Sequence, residues 1–100
     1  MNTFREVIVC YDISENKARK KVSDGLKDLG LISIQKSVYW GQLLPAEEKT
    51  VLLLLRKWVP KDADNRAFIV PAGLSNRIQH WSVGYKNTLE LFNEPAYCVI

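Results

Sequence analysis

Four apolar residues in a row, Val7, Ile8, Val9 and Cys10, are followed by Tyr11 and Asp12. A short run rich in β-branched residues reads as a strand buried on both faces. Ser14 stands where a helix N-cap belongs. Residues 15–29 carry the helix: Ala18, Val22, Leu26 and Leu29 recur at helical spacing, and Gly30 ends it. From 31 to 44 the period changes to two. Ile32, Ile34, Val38 and Trp40 alternate with Ser33, Gln35, Ser37 and Tyr39, with a break at Lys36. This stretch is one long strand or two short ones, with Gly41 at a bulge or turn. Gln35, Ser37 and Tyr39 then form a polar row on one face. Pro45 opens a second helix, with Glu47 and Glu48 in its first turn and a wide apolar face that reaches Trp58 and stops before Pro60. Trp58 reads as core. Residues 67–71, 78–85 and 96–100 read as further strands, with a loop over 87–95.

The order strand, helix, strand, helix, strands predicts an α+β protein. Its architecture is an α/β sandwich with two helices on one face of a mainly antiparallel sheet. One hundred residues, 47% of them apolar, make a single domain over 1–100 with a small core. The apolar terminal run 96–100 is an edge liability that a second subunit would cover. The net charge of +3 is compatible with a polyanionic partner. Cys10 and Cys98 sit in strand-like runs, as small buried hydrophobes of a reducing, cytoplasmic compartment. The N-terminal residues have no apolar signal region, and the longest apolar run, 51–55, is too short to span a bilayer, so no membrane role is expected. His80 has no ligand-spaced partners and reads as structural.

The candidate chemistry gathers where the first strand ends. Asp12 is a carboxylate at the mouth of an apolar strand. It is either a turn residue or a group that is paired or holds a metal. Lys17, Arg19, Lys20 and Lys21 cluster in the first turns of the helix, where the macrodipole disfavours cations. At about 100° per residue the three lysines point away from the apolar stripe and Arg19 lies at its border, within reach of a phosphate near the strand end.

Tyr11-Asp12-Ile13-Ser14, then Lys17, Arg19 and Gly30, then Gln35-Lys36-Ser37-Val38-Tyr39 and Gly41, resemble the small CRISPR-associated spacer-acquisition protein, the ferredoxin-like subunit of the two adaptation proteins. The resemblance covers essentially the whole chain. It implies a ferredoxin-like fold with an extra C-terminal strand that crosses to a partner in a homodimer. It implies a Mg²⁺ site, open to Mn²⁺, at Asp12 of both subunits. It also implies endonuclease activity on single-stranded RNA or double-stranded DNA, and service beside an integrase subunit that inserts spacers. Arg19 and Ser37 match a family arginine and serine, and Tyr39 matches an aromatic position that is usually Phe. Lys21 stands where some members carry a second arginine, Ser33 where some carry a basic residue. Mg²⁺ takes one or two carboxylates and keeps several waters, so one Asp12 is a poor site and two across a dimer axis a plausible one. In the catalytic reading Asp12 holds the metal, Ser37 is an orienting hydroxyl and Arg19 a phosphate clamp. Tyr11, Lys17, Lys20 and Lys21 complete the nucleic-acid surface, with Tyr39 as a stacking platform. The competing readings are a non-catalytic dimeric scaffold that holds duplex DNA for the integrase, and, by fold analogy alone, a toxin-like ribonuclease.

Overall fold

The structure, a computed structural model, describes residues 3–62, 64–73 and 83–84. They form β1 (Arg5–Asp12), α1 (Asn16–Asp28), β2 (Ile32–Gln35), β3 (Val38–Leu43), α2 (Pro45–Trp58) and β4 (Arg66–Pro71). The sheet order is β2-β3-β1-β4, and each neighbouring pair is antiparallel. This is the expected ferredoxin-like α+β sandwich. The strand expected at 96–100 and nearly all of that at 78–85 lie outside the described residues, as do Cys98 and His80.

Strand periodicity sorts β1 between two environments. Val7, Val9 and Tyr11 are buried, while Ile8 and Cys10 between them are only half-buried and Asp12 is exposed. The expectation of a strand buried on both faces is therefore corrected: one face alone lies in the core. Tyr39 and Leu43 of β3 share that face, being cross-strand from Val9 and Arg5. Ala18, Val22 and Leu26 of α1 and Val51 and Leu55 of α2 close over it. Each fully buried Val or Leu contributes on the order of 1.5–3 kcal/mol, so this layer carries most of the fold. The opposite face is open along β1 and β4, where Phe68 and Val70 are large and exposed.

Residues 31–44 are two strands. Lys36 and Ser37 form the turn, and a bulge between Ser33 and Gln35 shifts the register of β2. The turn restarts the alternation, so Gln35 and Tyr39 do not form one polar row. Gly30 ends α1 as expected. It adopts φ +87°, and the Gly30 and Leu31 amides donate to the carbonyls of Lys27 and Leu26 at 2.9 and 3.1 Å. That pair of bonds is a Schellman closure, which needs a residue free to take the left-handed conformation. Ser14 does not cap α1. The residue before the first turn is Glu15, and the Ser14 amide donates instead to Asn65 Oδ1 at 2.9 Å. α2 starts at Pro45 as expected, with the Glu47 carboxylate accepting the Leu44 amide at 2.8 Å.

Gly41 is neither bulge nor turn. It lies inside β3, where a Cβ would meet Leu31 Cδ2 at 2.2 Å and the Leu31 Cα at 3.3 Å. Leu31 is itself buried and has little room to yield. Gly41→Ala should therefore cost about 1–3 kcal/mol, the usual range for overpacking. The check is urea denaturation at fixed protein concentration. Gly73→Ala, where a Cβ meets nothing within 4 Å, should leave the midpoint nearly unchanged.

Candidate functional site

The sheet register decides which side each candidate residue serves. Asp12 is the last residue of β1 and lies opposite Arg66 of β4, on the open face with Ile8, Cys10, Phe68 and Val70. Its carboxylate makes no ion pair with Arg66 within 4.0 Å, nor with any other described residue. Among the described residues no three groups of His, Cys, Asp or Glu gather in a metal-binding cluster. Cys10, on the same face, has its thiol pushed up by burial.

The helix-side residues meet elsewhere. Tyr11, Arg19, Lys20, Ser37 and Tyr39 line one cleft of about 300 Å³ between α1 and the β2–β3 hairpin. Arg19 is half-buried, as its border position predicts. Its guanidinium donates to the Ile13 carbonyl at 3.0 Å and to Asn16 Oδ1. Two of its five N–H groups are so used, and the fork is held by the chain just after β1. Ser37 sits at φ 62°, a left-handed conformation uncommon for a residue with a Cβ, and its carbonyl accepts the Tyr11 amide at 3.1 Å. This bond fastens the hairpin turn to the end of β1. Tyr39 is 1% exposed, and its hydroxyl and that of Ser23 are 2.6 Å apart. It therefore offers no free ring to a base, and the stacking role expected of it is corrected. The Tyr11 ring stacks on it with centroids 6.1 Å apart. Burial pushes the Tyr11 hydroxyl up to about 12, helped by Tyr39 beside it, so at neutral pH it remains a proton donor.

The three lysines are exposed, as expected, but they do not form one uniform face. Lys20 pairs with Asp24 at 2.9 Å. Lys21 turns to α2, with Nζ 5.4 Å from the centre of the Trp58 ring, and Lys57 lies over the same ring at 5.3 Å. Lys17 lines neither feature. Trp58 packs against the core while keeping its ring within reach of both cations. Four cleft residues, Asn16, Ser23, Asp24 and Lys27, have no role in the sequence reading. A signal for two of them was present: Arg19, Ser23 and Lys27 follow one another at i, i+4 and i+8, one polar stripe along α1. Ser33 and Lys36 join it only through the hairpin.

The sequence profile of the family CRISPR associated protein Cas2 matches residues 5–77. A protein of Pyrobaculum aerophilum, CRISPR-associated endoribonuclease Cas2 2, is 45% identical over 51% of this chain and 56% of its own length. The matched stretch thus spans about half of that relative. A Thermoproteus tenax protein, CRISPR-associated endonuclease Cas1/endonuclease Cas2 fusion, is 58% identical over 40% of this chain and 15% of its own. A crystal structure of Cas2 superposes with a TM-score of 0.60 at 28% identity, over 69% of this chain and 75% of that one.

Proposed function

The chain belongs to the CRISPR-associated Cas2 family, and from that premise we propose that it is a Mg²⁺-dependent endonuclease of CRISPR spacer acquisition. Its substrates are phosphodiesters of single-stranded RNA or double-stranded DNA, and it works as a homodimer. The observation that carries this reading is Asp12, an exposed carboxylate with no ion pair among the described residues, at the end of a central strand and on an apolar sheet face. Among the described residues, one chain offers too few ligands for a structural metal site. Mg²⁺ needs only one or two carboxylates and keeps several waters, so Asp12 from each of two copies fits it. A bound ion would supply positive charge to the phosphoryl oxygens and lower the pKa of a water. The chain's own part is to hold phosphates in place: Arg19 through its free N–H groups, Lys17, Lys20 and Lys21 as mobile charges, and the Ser37 and Tyr11 hydroxyls as donors. The exposed Phe68 and Val70 beside Asp12 support a second copy on this face, because such a patch is unstable in water.

The endoribonuclease name of the Pyrobaculum relative supports the hydrolytic reading. The Thermoproteus fusion supports a Cas1-type subunit as the integrase partner, and with it a scaffold role that needs no cleavage. Chelation separates the two. Cleavage of single-stranded RNA and duplex DNA should stop in EDTA and return with Mg²⁺ or Mn²⁺, while binding of a duplex survives. Cleavage that persists undiminished in chelator would refute metal catalysis. No cleavage under any condition, with duplex binding intact, leaves the scaffold.

A further inference from the structure

We propose that the cleft between α1 and the β2–β3 hairpin binds a single phosphate-bearing nucleotide, at a site distinct from Asp12. Four cations, Arg19, Lys20, Lys27 and Lys36, line it against one carboxylate, Asp24. Lys20 already holds that carboxylate at 2.9 Å, and Lys20 together with the nearby Lys27 and Lys21 keeps its pKa low. Lys36 has no carboxylate partner within 4.0 Å among the described residues. One of the four cations is thus neutralised, while Arg19, Lys27 and Lys36 make no ion pair among the described residues, so the cleft keeps a net positive charge, the footprint of an anion site.

The shape narrows the ligand. At about 300 Å³ the cleft is at the lower end of small-molecule sites: room for one nucleotide, not for a duplex. Its donors are of two kinds. Arg19 is fixed by the Ile13 carbonyl and Asn16, so its remaining N–H groups are pre-oriented for a planar, bidentate grip on a phosphate. The Ser37 hydroxyl provides a neutral donor, and the Ser33 hydroxyl, whose own proton goes to the Gln35 carbonyl at 3.2 Å, keeps its lone pairs as an acceptor, a mixed pair that suits a ribose or base edge.

The place of the cleft in the fold makes it independent of the metal reading. Tyr11 and Tyr39, which form its floor, belong to the helix side of the sheet, whereas Asp12 and Arg66 are on the open side. Both lie at the same end, because the Ser37 turn is bonded to Tyr11. A strand held over Asp12 would thus find a phosphate-terminus site across the edge of the same sheet. The ligand class is shared by a free nucleoside monophosphate and by a phosphorylated strand end. The inference draws on the nucleic-acid part of the proposed function and needs neither Asp12 nor a metal.

The test is isothermal titration calorimetry of the full chain in EDTA, with adenosine 5′-monophosphate and with adenosine. The monophosphate should bind and adenosine should bind at least tenfold more weakly. Lys27→Ala combined with Lys36→Ala, at one half-buried and one exposed position, should weaken the monophosphate about tenfold or more. The charge-matched control on α2, Lys49→Ala with Arg56→Ala, should match the unmodified protein. Asp12→Asn should also bind the monophosphate normally, even if it has lost cleavage, so the two proposals fail separately. Competition by a 5′-phosphorylated oligonucleotide, but not its 5′-hydroxyl twin, assigns the site to strand ends. Binding of the monophosphate without such competition assigns it to the free nucleotide. Equal binding of adenosine and its monophosphate, no binding of either, or an equal loss in the α2 control would overturn the site.

Discussion

Asp12→Asn is expected to reduce cleavage by about a hundredfold or more, the scale seen when charge stabilisation is removed from a reacting centre, while leaving the fold unchanged. The two halves of that expectation have separate causes. Asn keeps the size and the hydrogen-bonding shape of Asp but not the charge that attracts a divalent ion. The fold is spared because Asp12 is exposed and makes no ion pair among the described residues; surface changes of that kind stay within about 0.5 kcal/mol. A dimer adds a further sign. Two carboxylates brought together without a metal repel, so in EDTA the variant should resist thermal unfolding slightly better than the parent. In Mg²⁺ it should lose the metal-dependent stabilisation that the parent gains. The measurements are single-turnover cleavage and thermal melts, each with and without Mg²⁺ at one protein concentration. Full activity in Asp12→Asn would remove this residue from catalysis. A large loss of stability would mean that Asp12 has a structural partner.

Tyr39→Ala is expected to cost about 3–5 kcal/mol of stability, the range for deleting a buried aromatic side chain. That is a large fraction of what a domain this small has to lose. Tyr39→Phe should cost only about 1 kcal/mol, because the ring still fills the core and what is lost is the hydroxyl's contacts, with Ser23 at 2.6 Å and with Tyr11. It should keep cleavage within a few-fold. The pair discriminates between a core ring and a stacking platform: a platform tolerates Ala structurally and fails in binding, whereas a core ring does the reverse. Denaturant titration of both variants beside RNA binding decides it. A Tyr39→Ala protein of undiminished stability that no longer binds RNA would show that the ring faces the ligand after all.

The candidate residues were legible as a set before their arrangement was. Tyr11, Arg19, Lys20 and Ser37 do converge, around one cleft. Asp12, adjacent to Tyr11 in the chain, lies across the sheet from them, because neighbours in a strand point to opposite faces. Ser14 is of the residue type that caps helices, yet its amide goes to Asn65, fifty-one residues away, and the helix starts one residue later, after Glu15. Propensity reads only near neighbours and cannot see that competitor.

By itself the sequence determined the elements whose causes are local. The β-branched run makes β1, the spacing of Ala18, Val22 and Leu26 makes α1, Gly30 stops it, and Pro45 starts α2. These follow from backbone preference and a repeating apolar period, which need no knowledge of what packs where. Tertiary structure alone decided the face on which each strand residue lies. The turn at Lys36 and Ser37 resets the alternation and puts Tyr39 in the core opposite Val9. The same register leaves Ile8 and Cys10 on the open side. A side-chain period of two carries no record of its own phase: one residue gained or lost at a turn exchanges the two faces, and only cross-strand pairing fixes which of them meets the helices.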